Sequence, residues 1–218
     1  MAGALSAAHR ELAAGDPALA ALIERIDSAS IEARLQSRTT DRFEALARIV
    51  CGQQVSTAAA RTIWGRVCES YGGAPRPEQL VVEGAEEKLR SAGLSGRKAS
   101  YIVGIAEAIA AEELRPDELD EASDQEVIET LVALRGLGRW SAEMFLIFDL
   151  GRPDVFSGGD LGLRQGIRIA YGMEAPPTPD EAVEIAERWS PNRSLASLYL
   201  WEAVGIGLPV AVAPEDGG

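Results

Sequence analysis

A single carboxylate, Asp160, follows two glycines in the loop Ser157-Gly158-Gly159-Asp160 and stands directly before a helical pattern. An acid in this place is an ordinary helix N-cap, whose side chain accepts a hydrogen bond from the first helical turn. The place also has a chemical consequence, because the positive end of the helix dipole favours the ionised carboxylate. Such an anion could stabilise a developing cation and orient a water, but it would be a poor proton donor. Position alone is compatible with both roles.

A tight glycine turn, Gly136-Leu137-Gly138, precedes Asp160 by 22 residues and lies between two apolar helical patterns. Glycine lets the main chain approach another molecule closely, because no Cβ stands in the way. A helix that begins behind such a turn presents unpaired N–H groups and a positive dipole end, which together suit a phosphate. The turn is therefore a candidate anion-binding site, although a glycine corner between two helices is also a common structural device.

Two tryptophans and a glutamine could belong to the same site. Trp140 directly follows the glycine turn, which would point it toward the same site, and Trp201 lies in the last helical pattern. Tryptophans in such positions normally belong to the core, and this remains the alternative for both. Gln53 and Gln54 occupy the break between two helical patterns. A glutamine there either holds the loop or reaches a partner.

Each candidate basic residue could have a structural role or contact a phosphate. Arg193 follows Pro191-Asn192 and could cap a helix or contact a phosphate. Arg164 and Arg168 lie one turn apart on the helix that Asp160 begins, so they could be solvated surface or phosphate contacts. Lys98, one of only two lysines, is expected to be exposed.

The composition indicates that any catalytic group of this protein is a carboxylate. Two cysteines, Cys51 and Cys68, and one histidine, His9, near a frayed start, cannot build a four-ligand zinc site or an iron–sulfur cluster without carboxylates. The cysteines are expected to be buried, reduced thiols, and histidine-based acid–base catalysis is nearly excluded. The N-terminal sequence lacks the features of a secretory signal, and no apolar run approaches the roughly 18 residues of a membrane span. We therefore expect a cytoplasmic globular protein without a membrane partner.

The formal charge of −13 argues against a nucleic-acid partner, since basic patches usually supply that affinity. The charge is unevenly distributed, however. From Glu112 to Glu129 nine acids face one base, which gives −8, whereas from Arg135 to Arg168 five arginines face four acids, which gives +1. An acidic run is usually solvated surface, so this segment could point away from a binding face.

Helical patterns dominate the chain and predict little or no sheet. Leu19, Leu22, Ile23 and Ile26 have the spacing of one amphipathic face, and Ser123 to Glu126 has the pattern of a capping box. The predicted helices cover residues 17–26, 41–51, 56–71, 77–82, 85–92, 95–112, 123–134, 139–150, 160–171, 178–189 and 193–205.

Four segments occur in an order and at a spacing that together are specific. They are Ile49-Val-Cys-Gly-Gln-Gln-Val-Ser56, Leu134-Arg-Gly-Leu-Gly-Arg-Trp-Ser-Ala142, Asp154-Val-Phe-Ser-Gly-Gly-Asp160, and Arg188-Trp-Ser-Pro-Asn-Arg-Ser194 followed by Leu200-Trp201. With these segments the chain resembles the helix-hairpin-helix (HhH-GPD) DNA glycosylases, and within them the 3-methyladenine DNA glycosylase II (AlkA-like) family. One departure is Arg135, which stands where the family hairpin usually has a proline.

The resemblance implies a role for each matching residue. Asp160 corresponds to the catalytic aspartate, and Trp140 and Trp201 to aromatic residues that line the base pocket. Gln54 corresponds to the wedge that fills the gap left by a flipped nucleotide. The hairpin residues Gly136, Leu137, Gly138 and Trp140 correspond to the segment whose main-chain amides hold DNA phosphate, often with bound Na⁺ or K⁺. Arg164 and Arg193 are candidate further phosphate contacts, and no other cofactor is implied.

The implied fold is all-α, a two-lobed helical HhH-GPD arrangement with a central cleft. It would form one domain over residues 1–208, with one lobe from about 40 to 130 and a second lobe from 1–39 plus 131–208. The hairpin covers about 134–142, and residues 209–218 are expected to be a loose tail. The longer segment from about Gly172 to Thr178 could reshape one wall of the cleft.

The implied activity is release of alkylated purines from double-stranded DNA by a monomeric, cytoplasmic or nucleoid-associated enzyme. The flipped base would leave a sugar with oxocarbenium character, which the Asp160 anion would stabilise. Strand-cleaving relatives carry a hairpin lysine where this chain has Trp140, and no lysine follows Lys98, so we expect a monofunctional enzyme that leaves an abasic site. Three alternatives remain, namely a non-catalytic helix-hairpin-helix DNA-binding module, a bifunctional lyase and an acidic helical scaffold.

Overall fold

The computed structural model of the protein describes residues 6–36 and 39–209, and its regular structure within these ranges is entirely helical. This confirms the expected all-α class, whereas the expected loose tail lies outside the described residues from position 210 onward. In the described part of the chain, twelve α-helices follow one another: α1 (Ala7–Gly15), α2 (Pro17–Arg25), α3 (Ser28–Gln36), α4 (Arg42–Gly52), α5 (Thr57–Tyr71), α6 (Ala85–Ser91), α7 (Gly96–Ala110), α8 (Asp124–Val132), α9 (Arg139–Phe145), α10 (Leu161–Tyr171), α11 (Pro179–Ala186) and α12 (Arg193–Gly205).

Short helical segments of other types complete these elements. Residues Pro77–Gln79, Pro116–Asp120 and Glu187–Trp189 form 3₁₀ turns, and α9 continues into a π-helical turn at Leu146–Leu150. The predicted helices 139–150 and 178–189 are therefore each continuous in space but change type near their ends. Every helix within the described residues is too short or too polar to span a membrane.

Helices α1 and α3 were absent from the sequence-based prediction. Among the side chains that the structure describes, α1 buries His9 and Leu12 and α3 buries Ile31, and these short apolar patterns did not predict either helix. His9 was expected near a frayed start, but its side chain is buried. Burial lowers the pKa of His9, and the nearby Glu32 carboxylate opposes this shift only in part.

Side-chain caps explain where several helices begin. The predicted capping box is present, because Ser123 Oγ accepts from the Glu126 amide at 3.3 Å while the Glu126 carboxylate accepts from the Ser123 amide at 2.8 Å. Thr178 and Glu181 form the same arrangement at the start of α11. These reciprocal bonds satisfy amides that the first helical turn leaves unpaired.

The acidic run is surface, as expected. Of the nine acids from Glu112 to Glu129, all but Asp124 are exposed. Arg115 pairs with Glu112 and Glu118 within this segment. Most of the negative charge of the segment is therefore directed into solvent.

The chain divides into two compact units, a first unit of Met1–Ser37 with Gly151–Gly218 and a second unit of Arg38–Leu150. This division differs from the expected lobes, since residues 131–150, including the hairpin, belong with the second unit. The reason is packing, because α9 lies against both α4 and α8 and buries Ala142, Met144 and Phe145.

A close crossing of α10 and α12 organises the first unit. A Cβ on Gly166 would lie 2.7 Å from the carbonyl oxygen of Leu200 and 2.6 Å from its Cβ, so the two backbones meet where only glycine fits. Ile167, Leu163 and Leu200 are fully buried around this point. The crossing therefore fixes the register of α12 against α10.

A buried carboxylate, Asp16, ties further elements of the first unit together. Its side chain caps α2 at the Ala18 amide (2.9 Å) and accepts from Trp189 Nε1 at 2.9 Å and from the Tyr171 hydroxyl. Burial and the adjacent Asp16 raise the pKa of Tyr171, so its hydroxyl keeps the proton that it donates. The Asp16 side chain thus joins α2, the end of α10 and the segment after α11.

We predict that Gly166→Ala destabilises the protein by about 1–3 kcal/mol, because the added methyl group must push α10 away from the Leu200 backbone. Gly65→Ala is the matched control, since its Cβ would meet no atom within 4 Å. That change should stabilise α5 by about 0.5–1 kcal/mol. Urea unfolding of both variants measures the difference, and equal stability of the two would contradict the close crossing.

Candidate functional site

Asp160 is the N-cap of α10, and one of its carboxylate oxygens receives two N–H donors. Asp160 Oδ1 accepts from the Leu163 amide at 2.8 Å and from Trp201 Nε1 at 3.0 Å. The Asp160 side chain remains partly exposed. The capping interpretation is therefore correct, and it does not exclude the chemical one, because the cap leaves the carboxylate oriented at the surface of the first unit.

Glycines of α10 allow the Trp201 indole to reach Asp160. A Cβ on Gly162 would lie 3.0 Å from Asp160 Oδ1 and 3.1 Å from Trp201 Cδ1. Four residues later, Gly166 permits the close crossing with α12 that carries Trp201 alongside. The sequence contained a signal for this arrangement, since glycines four residues apart share one face of a helix.

An ion pair braces the loop that leads to Asp160. Arg193 Nε and its terminal nitrogen donate to the two oxygens of Asp154 at 2.8 and 2.9 Å, and Ser190 Oγ donates to the same carboxylate at 2.8 Å. Although partial burial opposes ionisation, these hydrogen bonds lower the pKa of Asp154 below its usual value. Arg193, a candidate phosphate contact, thus has its guanidinium engaged within the first unit.

The start of α12 also holds the backbone of this loop. Ser194 Oγ donates to the Arg152 carbonyl at 2.7 Å and accepts from the Val155 amide at 3.0 Å. Further along, Gly158 packs so closely on α11 that a Cβ there would lie 2.9 Å from the Pro179 carbonyl oxygen. The loop is therefore fixed from two sides before it reaches Asp160.

The two arginines of α10 hold the segment from Gly172 to Thr178. Arg164 donates from a terminal nitrogen to the Pro177 carbonyl at 3.2 Å, and Arg168 Nε donates to the Glu174 carbonyl at 3.0 Å. Arg164, the other candidate phosphate contact, is therefore part of the anchoring of this segment.

In the second unit, the hairpin turn is seated on an aromatic ring. Gly136 has φ of +95°, and a Cβ there would lie 2.2 Å from Tyr101 Cγ, so no other residue fits without displacing the ring. Arg135 places its guanidinium 5.7 Å from the centre of the same ring. Leu137 is buried, whereas Gly138 is exposed with no atom within 4 Å of an ideal Cβ. The turn thus combines a fixed base with an open outer face, even with Arg135 in place of proline.

Trp140 lies just beyond this turn, in the first turn of α9, and is 36% exposed. It is one of the large apolar side chains at the surface of the second unit. The sequence alternative that placed Trp140 in the core is therefore wrong for this indole.

Gln54 occupies a strained position in the turn between α4 and α5. The Val55 amide donates to the Gly52 carbonyl at 3.4 Å, Gln53 has φ −55° and ψ 132°, and Gln54 has φ +55°. These are the features of a type II turn, in which glycine is the preferred residue at the Gln54 position. The exposed Gln54 therefore occupies a left-handed backbone conformation that a glycine would adopt with less strain.

Gln53 and Lys98 fix this turn, and the expectation that a glutamine holds the loop is met by Gln53. Gln53 Nε2 donates to the Gly136 carbonyl at 2.9 Å and to Ser141 Oγ at 3.1 Å. Lys98 Nζ donates to the carbonyls of Cys51 at 2.9 Å and Gln53 at 2.6 Å. Lys98 was expected to be exposed, but it is half-buried because it caps the carbonyl end of α4.

The predicted site residues thus form two groups. Asp160 and Trp201 are in direct contact in the first unit, whereas Gln54 is linked through Gln53 to the hairpin in the second unit. The part of the chain that the structure describes contains no group of three or more His, Cys, Asp or Glu side chains that could hold a metal ion.

Comparison with known proteins gives a family match over most of the chain. The family model described as HhH-GPD superfamily base excision DNA repair protein matches residues 47–192. DNA-3-methyladenine glycosylase 1 of Schizosaccharomyces pombe is 35% identical over 163 residues, which cover 73% of this chain and 71% of that protein. The putative DNA-3-methyladenine glycosylase YfjP of Bacillus subtilis is 30% identical, and the match covers 74% of this chain but only 58% of that protein.

A solved structure has the same fold. The S. pombe 3-methyladenine DNA glycosylase Mag1, in complex with abasic DNA, superimposes with a TM-score of 0.81 at 30% sequence identity. The superposition covers 92% of this chain and 97% of that one.

We predict that Gln54→Gly leaves the free energy of unfolding unchanged or raises it by up to about 1 kcal/mol, because glycine adopts φ of +55° without strain. Gln54→Val, with a β-branched side chain at the same position, should lower it by about 1–2 kcal/mol. Urea unfolding compares the two variants. A loss in Gln54→Gly as large as that in Gln54→Val would contradict a strained turn.

Proposed function

Because this chain belongs to the HhH-GPD superfamily of base excision DNA repair proteins, we propose that it is a DNA glycosylase. Its substrate is double-stranded DNA that contains alkylated purines, and its product is an abasic site. The observation that carries this proposal is the partly exposed Asp160 carboxylate, oriented by the Leu163 amide and the Trp201 indole N–H. The names of the relatives, which are 3-methyladenine glycosylases, support the same substrate class.

The proposed reaction needs an anion rather than a proton donor. A base stacked in a duplex is out of reach, so the nucleotide is first extruded at a cost of a few kcal/mol. The C1′–N bond then breaks with its electron pair passing to the base, which was positively charged and leaves neutral. The sugar gains oxocarbenium character, which the Asp160 carboxylate stabilises electrostatically. Water adds to C1′ and loses a proton to solvent.

Aromatic rings account for the preference for a charged base. Trp201 lies beside the carboxylate, and Trp140 presents its ring at the surface of the second unit. A purine that carries a positive charge is attracted to an indole face by roughly 0.5–2 kcal/mol. In this proposal both tryptophans contact the alkylated base.

The hairpin and the Gln54 turn supply the contacts with the DNA duplex. The open outer face of Gly138 lets a phosphate approach the main-chain amides of the hairpin. Gln54, exposed on its turn, fills the space left by the extruded nucleotide. Arg164 and Arg193 are not proposed as phosphate contacts, because they are hydrogen-bonded to the Pro177 carbonyl and to Asp154 and so stabilise the segments that carry these residues.

A monovalent cation at the hairpin is also proposed. Its ligands would be main-chain carbonyls of the turn. The Leu134 carbonyl accepts from the Leu137 amide and the Gly136 carbonyl accepts from Gln53, and each keeps a second lone pair for a cation. A bound Na⁺ or K⁺ would add positive charge where a phosphate binds.

We predict that Asp160→Asn lowers the rate of base release from methylated duplex DNA by at least about 100-fold, because the anion opposite the developing cation is lost. Release is measured by chromatography of the freed bases. Unchanged release by the variant would remove Asp160 from the mechanism. If the parent protein also releases no base but binds DNA, the chain is a non-catalytic helix-hairpin-helix module, and if it binds no DNA, it is a scaffold.

A second variant tests the orientation of the Asp160 carboxylate while its charge is retained. Trp201→Phe keeps an aromatic face but removes the N–H that donates to Asp160 Oδ1, so base release should fall about 10-fold. Trp64→Phe is the matched control, since no hydrogen bond of the Trp64 side chain occurs within the described part of the chain. Equal release by the two variants would contradict the orienting role of Trp201.

The enzyme is proposed to be monofunctional. A Schiff base needs an amine at the reacting sugar, and the hairpin position that would carry it is Trp140. Incubation with methylated DNA and sodium borohydride should therefore produce no covalent protein–DNA adduct, while a lysine-bearing bifunctional glycosylase assayed in parallel does. An adduct that disappears in Lys98→Met would identify Lys98 as a nucleophile and overturn this part of the proposal.

A further inference from the structure

The turn that carries Gln54 is connected to the hairpin by one side chain. Both N–H bonds of the Gln53 amide are used, one toward the Gly136 carbonyl at 2.9 Å and one toward Ser141 Oγ at 3.1 Å. The first acceptor belongs to the glycine turn itself and the second to α9, where Ser141 is buried. Gln53 thus bridges two segments that lie more than 80 positions apart in the sequence.

Helix α7 contacts the same two segments. Lys98 holds the Gln53 carbonyl at 2.6 Å, which fixes the backbone directly before Gln54. Three residues further along α7, the Tyr101 ring seats Gly136 of the hairpin. One helix therefore positions both segments, and Gln53 joins them directly.

We propose that Gln53 is a positioning residue that sets the Gln54 side chain at a fixed place relative to the phosphate-binding hairpin. This inference rests on the proposed function, in which the hairpin holds DNA phosphate and Gln54 enters the duplex. With the bridge in place, binding of the phosphate backbone delivers Gln54 to the base stack in the same step.

The physical argument concerns when the Gln54 turn is ordered. A non-glycine residue at φ of +55° is disfavoured, so the turn keeps this conformation only while neighbouring contacts impose it. Without the Gln53 bridge Lys98 would still hold the turn, but the link to the hairpin would have to be ordered at the moment of insertion, at the expense of binding free energy. Affinity would therefore decrease for DNA into which Gln54 inserts, whereas the contacts with the phosphate backbone would be unaffected.

The test is a double-mutant cycle between Gln53→Met and Gln54→Ala, read by binding to two duplexes. Gln53→Met preserves side-chain length but removes both N–H donors. With DNA that holds an abasic-site analogue, Gln53→Met should bind roughly tenfold more weakly than the parent. With undamaged duplex it should bind within about twofold of the parent, since the phosphate contacts are retained.

The cycle separates positioning from general stability. In the Gln54→Ala background, Gln53→Met should cause no further loss of abasic-site binding, because no wedge remains to be positioned. An additive loss in that background, or equal weakening with both duplexes, would overturn the inference. If Gln53→Met does not fold, Gln53→Asn replaces it, since the shorter amide cannot reach both acceptors, and the same non-additivity is expected.

These readouts are independent of catalysis. Absence of base release by the parent would refute the proposed enzymatic activity, while the binding cycle would still decide the role of Gln53. Conversely, normal base release together with additive losses would leave the proposed function intact and refute only the positioning role.

Discussion

One carboxylate oxygen shared by two N–H groups is the interaction on which the first unit is arranged. Asp160 Oδ1 accepts from the α10 backbone and from an indole of α12, so its orientation depends on how closely these two helices cross. Gly166 sets that distance and Gly162 leaves room for the indole. The Asp154–Arg193 pair and Ser194 fix the preceding loop. The packing of α10 on α12 and the contacts of the preceding loop thus determine where the Asp160 carboxylate lies.

In the second unit, the candidate site residues are exposed and lie on a support formed by helix α7. Tyr101 and Lys98 of α7 lie beneath the hairpin and the Gln54 turn, while Gly138, Trp140 and Gln54 are exposed. Exposure also characterises the acidic run from Glu112 to Glu129. In the proposed function, a chain with a formal charge of −13 would bind DNA through local main-chain donors at the hairpin rather than through a broad basic surface.

Structural features that depend on neighbouring residues could be predicted from the sequence. The capping box at Ser123, the cap at Asp160 and most helix boundaries follow from residues within one or two turns. Interactions between distant segments could not be read in this way. Arg193 and Lys98 carry nothing in their neighbourhoods that identifies Asp154 or the Gln53 carbonyl as partners. The placement of residues 131–150 depends likewise on how α9 packs on α4.

The anchoring of the segment from Gly172 to Thr178 differs in kind from that of Asp160. Arg164 and Arg168 bind its carbonyl oxygens, and the Met173 amide bonds back to the Arg168 carbonyl. Every residue other than proline presents the same N–H and C=O groups, whatever its side chain. The path of this stretch therefore depends little on which residue other than proline occupies the positions of Met173, Glu174 and Ala175, and these positions can be varied among such residues to diversify the protein surface.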